Sequence, residues 1–153
     1  DAARASARQP LRVVLDSRLQ APADARIFSA DAATLCCHSA DTAPPAAPPG
    51  ATAELLALAR GDHGLDLQAL LMELGRRQCN EILVESGPRL AGALLQLGLL
   101  DELIVYMAPT LLGSLARPLL ELPLNHMAEQ VPLTLLDVRR VGEDWRFTAV
   151  PRR

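Results

Sequence analysis

One segment of the chain concentrates residues able to do chemistry: EILVESGPRLAGALLQLG, residues 81–98. Residues 81–84 form a short, branched, apolar run with the length of a buried strand. Glu85 then stands at the C-terminal end of that strand, the edge at which parallel α/β sheets present ligands. A carboxylate there can orient a substrate or handle a proton. It equally suits the solvated charge that most surface carboxylates are. Gly87 and Pro88 follow, where strand hands over to helix. Gly87 has no Cβ, so main chain can come close to a ligand, and Pro88 is preorganised for the first helical position. The first turn of the helix presents N–H groups without acceptors and a positive dipole end, a combination that attracts phosphate. Gly92, one turn further on, weakens the helix but permits close packing. The G-x-G-x-x-G fingerprint is absent, and a lone Gly-Pro turn also suits an ordinary connection.

The remaining chemistry-bearing residues mostly exclude. No lysine occurs among the 153 residues, which rules out Schiff-base chemistry on a lysine and a P-loop lysine. A formal net charge of −3 and 3% aromatic residues offer neither a basic field nor a stacking platform, so no nucleic-acid partner is expected. Cys36, Cys37 and His38 are consecutive, and neighbours on a strand point to opposite faces, so no metal site is expected from them. Three cysteines without framework spacing read as reduced thiols in a cytosolic protein. His63 and His126 lie in loop-like contexts, and the pairs Arg76-Arg77, Arg139-Arg140 and Arg152-Arg153 read as solvated. No apolar run approaches the roughly 18 residues of a membrane span, and the first ten residues lack the apolar core of a signal peptide. The absence of an initial Met, within a polar Ala/Arg stretch, suggests a piece of a longer chain.

The elements that must hold these residues can be read from periodicity. Residues 1–10 read as linker or loop and 11–153 as one domain half made of hydrophobic residues. Residues 11–15 and 34–38 are short strands, and 43–50, holding four of the twelve prolines, is a surface loop. Residues 53–59 favour helix by propensity and strand by length. Asp66 caps a helix to about Gln78, with Leu67, Leu70, Leu71 and Leu74 on one stripe and Asn80 as its stop. A strand at 81–84 leads into a helix from Pro88 to Gly98 that buries Leu90, Ala91, Leu94 and Leu95. Asp101 and Glu102 precede a strand at 103–107. Residues 134–141 and 145–150 close the chain as a hairpin turned at Gly142, Glu143 and Asp144. The order specifies an α/β fold, a mostly parallel sheet flanked by helices with an antiparallel C-terminal hairpin.

The run DLQALLMELGRRQCNEILVESGPRLAGALLQLGLLDELIVYMAPTLLG, preceded by PLRVVLDSR, strongly resembles the reductase domain of the bifunctional RibD family of riboflavin-biosynthesis proteins. The resemblance covers residues 10–149. It implies a dihydrofolate-reductase-like fold and reduction by NADPH of 5-amino-6-(5-phosphoribosylamino)uracil to the ribitylamino compound. Hydride is delivered to C1′ of the opened ribose. The family's dinucleotide-binding turn falls on Gly87, Pro88, Arg89, Leu90, Ala91, Gly92 and Ala93. Its substrate-binding glutamate falls on Glu85, and its NADP-contacting serine on Ser17. Arg18, beside Ser17, has the charge to hold the cofactor's 2′-phosphate. A cytoplasmic homodimer is the family expectation.

Two departures stand out. Ser86 replaces a glycine common in relatives, a small change. The second is truncation. The family domain begins several dozen residues earlier, with a strand carrying a lysine in a K-L-A-x-S-L-D-G-like motif, and the upstream zinc deaminase domain brings H-x-E and P-C-x-x-C elements. The expectation is therefore a reductase domain lacking its N-terminal part. The alternatives are an inactive or nucleotide-binding-only fragment and a related reductase with another substrate.

Overall fold

The computed structural model describes residues 9–45 and 53–152. Most of the expected 1–10 linker and part of the 43–50 loop lie outside the described residues. The chain divides into two compact units, Asp1–Asn80 and Glu81–Arg153.

The first unit is built on a parallel sheet of β1 (Arg12–Leu15), β2 (Thr34–Ser39) and β3 (Ala53–Leu58), with β2 in the centre. Every residue of β2 is buried, the condition of a strand covered on both faces, including the polar Thr34, His38 and Ser39 beside Leu35, Cys36 and Cys37. The ambiguous 53–59 segment is strand: pairing of Thr34 to Ser39 with Ala53 to Leu58 overrides its helical propensity. A short hairpin follows, β4 (Arg60–Gly61) and β5 (Gly64–Leu65), with His63 in its turn. Helix α1 (Leu67–Arg76) begins where Asp66 Oδ1 accepts from the Ala69 amide at 2.9 Å. Leu67, Leu70 and Leu74 are its buried stripe, and Leu71 is half-buried. The helix stops before Asn80: Gln78 takes the left-handed conformation (φ 63°), while its own amide and that of Cys79 bond back to Gly75 and Leu74 carbonyls. Arg77 is not solvated as its sequence context suggests. It donates to both oxygens of Glu54 on β3 and to Glu73, tying the end of α1 to the sheet.

The second unit holds α2 (Pro88–Gln96) and an antiparallel sheet in the order β6 (Leu103–Met107), β8 (Asp144–Pro151), β7 (Leu133–Val141). The two-residue turn at Gly142 and Glu143 uses the left-handed conformation of Gly142 (φ 65°), and Asp144 already belongs to β8. A register shift between Leu135 and Asp137 marks a bulge in β7. Among the described residues, parallel pairing is thus confined to β1–β3, and β6 runs antiparallel to β8.

One sequence expectation fails here. Residues 81–84 are not a strand. A strand needs a hydrogen-bonding neighbour, and none of the described strands pairs with this segment, whose Leu83 is 80% exposed. In α2 the buried residues are Gly92, Ala93 and Leu94, whereas Leu90, Ala91 and Leu95 are only half-buried.

Candidate functional site

The strongest candidate is the turn that opens α2. Gly87 is its N-cap, with an extended backbone (φ −74°, ψ 172°), and Pro88 occupies the first helical position. No side chain caps the helix. The first intrahelical bond recorded across this turn runs from the Ala91 amide to the Gly87 carbonyl, at 3.2 Å. The Arg89 and Leu90 amides therefore precede any intrahelical acceptor, and Pro88 has no N–H to offer. α1 is built differently, because the Asp66 carboxylate fills the corresponding place. An uncapped N-terminus with positive partial charge suits an anion such as a cofactor phosphate.

The two glycines of this turn serve different ends. Gly87 has a φ open to any residue, and a Cβ built on it meets nothing within 4 Å among the described residues. Neither conformation nor packing demands glycine there. At Gly92 a Cβ would collide with the Glu121 carbonyl oxygen and lie 3.0 Å from its carbonyl carbon. Gly92 is the close-packing glycine that its helical position suggests, and its partner is main chain. The Glu121 amide also donates to the Pro88 carbonyl at 3.0 Å. The Glu121 carboxylate lies 3.7 Å from Nε of Arg89, an exposed pair.

Glu85 is exposed and lies in the irregular segment before α2, two residues ahead of the N-cap. Its position at the end of a paired strand, expected from sequence, is not formed. Ala93 is buried and Arg89 exposed, so the seven residues of the expected cofactor turn do not share one environment.

Ser17 and Arg18 belong to the first unit, in the turn that follows β1. The Ser17 carbonyl accepts from the Ser39 amide at 3.1 Å and from the Thr42 hydroxyl at 2.8 Å, which fixes the main chain there. The Arg18 side chain projects from an exposed residue. Asp16, which the sequence did not single out, organises this turn: its carboxylate accepts from the amides of Arg18 at 3.3 Å and Ala21 at 2.6 Å. Partial burial pushes the Asp16 carboxyl up, but the N–H groups of residues 18–21 together outweigh it and hold it below its ordinary value. An Asp closing a strand before Ser-Arg is a recognisable signal for such a turn. Glu121 had no such signal, being 29 positions from Gly92.

Cys36, Cys37 and His38 lie within the buried central strand. Burial, reinforced by Cys36 and Glu54 against an opposing Arg77, pushes the Cys37 thiol up to about 12, so it is no nucleophile at neutral pH. No helix among the described residues is long and apolar enough to cross a membrane.

Fold and turn together define a mixed α/β protein of the dihydrofolate-reductase-like class, with an uncapped Gly-Pro turn opening α2. The family model described as the RibD C-terminal domain matches residues 1–147, and the chain belongs to that family. It is 44% identical over 138 residues to the riboflavin biosynthesis protein RibD of Escherichia coli, covering 90% of this chain and 37% of that protein. It is 33% identical over 95 residues to the 5-amino-6-(5-phosphoribosylamino)uracil reductase of Buchnera aphidicola, covering 60% of this chain and 46% of that one. Among solved structures it resembles Acinetobacter baumannii RibD, with a TM-score of 0.79 and 33% identity over 94% of this chain and 38% of the other. The chain thus spans less than half the length of these relatives.

Proposed function

We propose that this chain supplies the C-terminal part of an NADPH-dependent 5-amino-6-(5-phosphoribosylamino)uracil reductase in riboflavin biosynthesis. The observation that carries the reading is Gly87. It is a glycine that neither φ nor packing requires, at the uncapped start of a helix, in a chain whose family and relatives are named for this pathway. Beyond its preference as an N-cap, a glycine here leaves the space of its absent Cβ to a ligand.

In this reading the Gly87–Ala93 turn holds a cofactor phosphate through the Arg89 and Leu90 amides and the helix dipole. Ser17 and Arg18 are assigned the 2′-phosphate that distinguishes NADPH from NADH. NADPH, when bound, supplies the hydride. Glu85 binds polar groups of the substrate's ribose or pyrimidine and stabilises cationic character as the ribose opens. The complete protein is a cytoplasmic homodimer with a zinc deaminase domain upstream.

The test uses Glu85→Gln in the complete protein. The substitution keeps shape and removes charge. Turnover is expected to fall roughly a hundredfold, the scale of a positioned acid–base or electrostatic group, with NADPH binding unchanged. The 153-residue chain alone is expected to show no turnover. Normal turnover after Glu85→Gln returns this carboxylate to the role of a solvated charge.

A further inference from the structure

Glu121 meets α2 in three ways, and no part of the proposed chemistry uses them. Its amide donates to the Pro88 carbonyl, its carbonyl fills the space that a Cβ on Gly92 would take, and its carboxylate pairs with Arg89. The first two contacts are main chain to main chain across the first turns of a helix. They fix the Glu121 Cα beside the α2 N-terminus. The Glu121 side chain then places its carboxylate 3.7 Å from Nε of Arg89, the residue that carries one of the open amides.

That arrangement suits the helix but opposes a second anion. A helix N-terminus attracts anions, and a carboxylate held there competes with any phosphate for the same dipole and the same guanidinium. The Arg89 side chain is 89% exposed and the Glu121 side chain 53%, so the pair is weak and easily exchanged. Strong pairing would block a phosphate, whereas an exposed pair can yield to one.

We infer that Glu121 is a positioning residue for the α2 anion site, a built-in competitor that holds Arg89 until a cofactor phosphate displaces it. The inference rests on the proposed placement of a phosphate at this turn. Its effect is on affinity and release of the cofactor. The carboxylate lowers affinity for the anion in both directions of the cycle, which speeds release of the oxidised cofactor.

The experiment measures NADPH dissociation constants and steady-state constants in the complete protein at low and high salt, for Glu121→Gln, Arg89→Ala, the double variant and Ser86→Asp. Glu121→Gln keeps the main-chain clamp and removes only the charge. It is expected to tighten NADPH binding and lower its KM roughly two- to fivefold at low salt, as removal of one exposed like charge does. The gain shrinks at high salt and is largely lost in the Arg89→Ala background. Unchanged or weaker binding after Glu121→Gln overturns the competitor role. Ser86→Asp places a new negative charge beside the turn and separates the two layers of the argument. It is expected to weaken NADPH binding. If it does not, the phosphate site itself is wrong and the role of Glu121 falls with it.

Discussion

Gly87→Ala and Gly92→Ala, made separately, should divide binding from stability. At Gly92 the change gains about 1 kcal/mol of helix propensity. Against this, the new Cβ collides with the Glu121 carbonyl, and main chain cannot rotate away as a side chain would. Forced overpacking of this kind costs about 1–3 kcal/mol, and retreat of the segment also loses the Glu121 to Pro88 hydrogen bond, about 1 kcal/mol. The net is a destabilisation of about 1–3 kcal/mol, or roughly 2–4 °C in Tm for each kcal/mol. At Gly87 the φ of −74° is open to alanine and nothing lies within 4 Å of the added Cβ. Only the poorer N-cap preference of alanine remains, about 0.5–1 kcal/mol. That same Cβ intrudes on the proposed phosphate. Loss of one charge-assisted contact weakens NADPH binding about tenfold. Urea and thermal unfolding of the complete protein, with NADPH titrations by fluorescence, measure both quantities. A Gly92→Ala protein at least as stable as the parent would refute the packing argument, and a Gly87→Ala protein of unaltered NADPH affinity would refute the ligand argument.

Two further outcomes follow from the first unit. Arg18→Ala should weaken NADPH by roughly ten- to a hundredfold while leaving NADH nearly unchanged, as loss of a charged contact to the 2′-phosphate requires; equal losses for both cofactors, measured by titration, remove Arg18 from the site. Asp16 has a folded pKa below its unfolded value, so its contribution to stability is present above the ordinary carboxylate range and is lost as pH falls through the folded pKa. Asp16→Asn should therefore flatten the loss of stability on acidification below about pH 4, which a series of urea midpoints against pH reads directly. An unchanged acid slope contradicts the hydrogen-bonded carboxylate.

Much of the fold was legible in the sequence because the signals are local. The Asp66 cap, the leucine stripe of α1, Pro88 at the start of α2 and the left-handed glycine of the last hairpin each depend on neighbours a few positions away. The Gly-Pro turn was recognisable for the same reason, and the resemblance carried by residues 10–149 supplied the family that the comparisons then showed.

What local sequence could not decide was pairing. Residues 81–84 have the composition of a strand, yet composition does not provide a hydrogen-bonding neighbour, and without one the segment is an exposed connection. Residues 53–58 are the converse case, in which a parallel ladder overrides helical propensity. Arg77 reads as one of two solvated arginines, but Glu54 and Glu73 converge on it only after α1 packs by β3. Gly92 announces close packing without naming its partner, since the carbonyl that needs the space belongs to Glu121, far along the chain. Propensity, capping and turn chemistry act over a few residues and are written in the sequence. Register, ion-pair partners and the approach of one main chain to another act across the fold, and only the tertiary structure sets them.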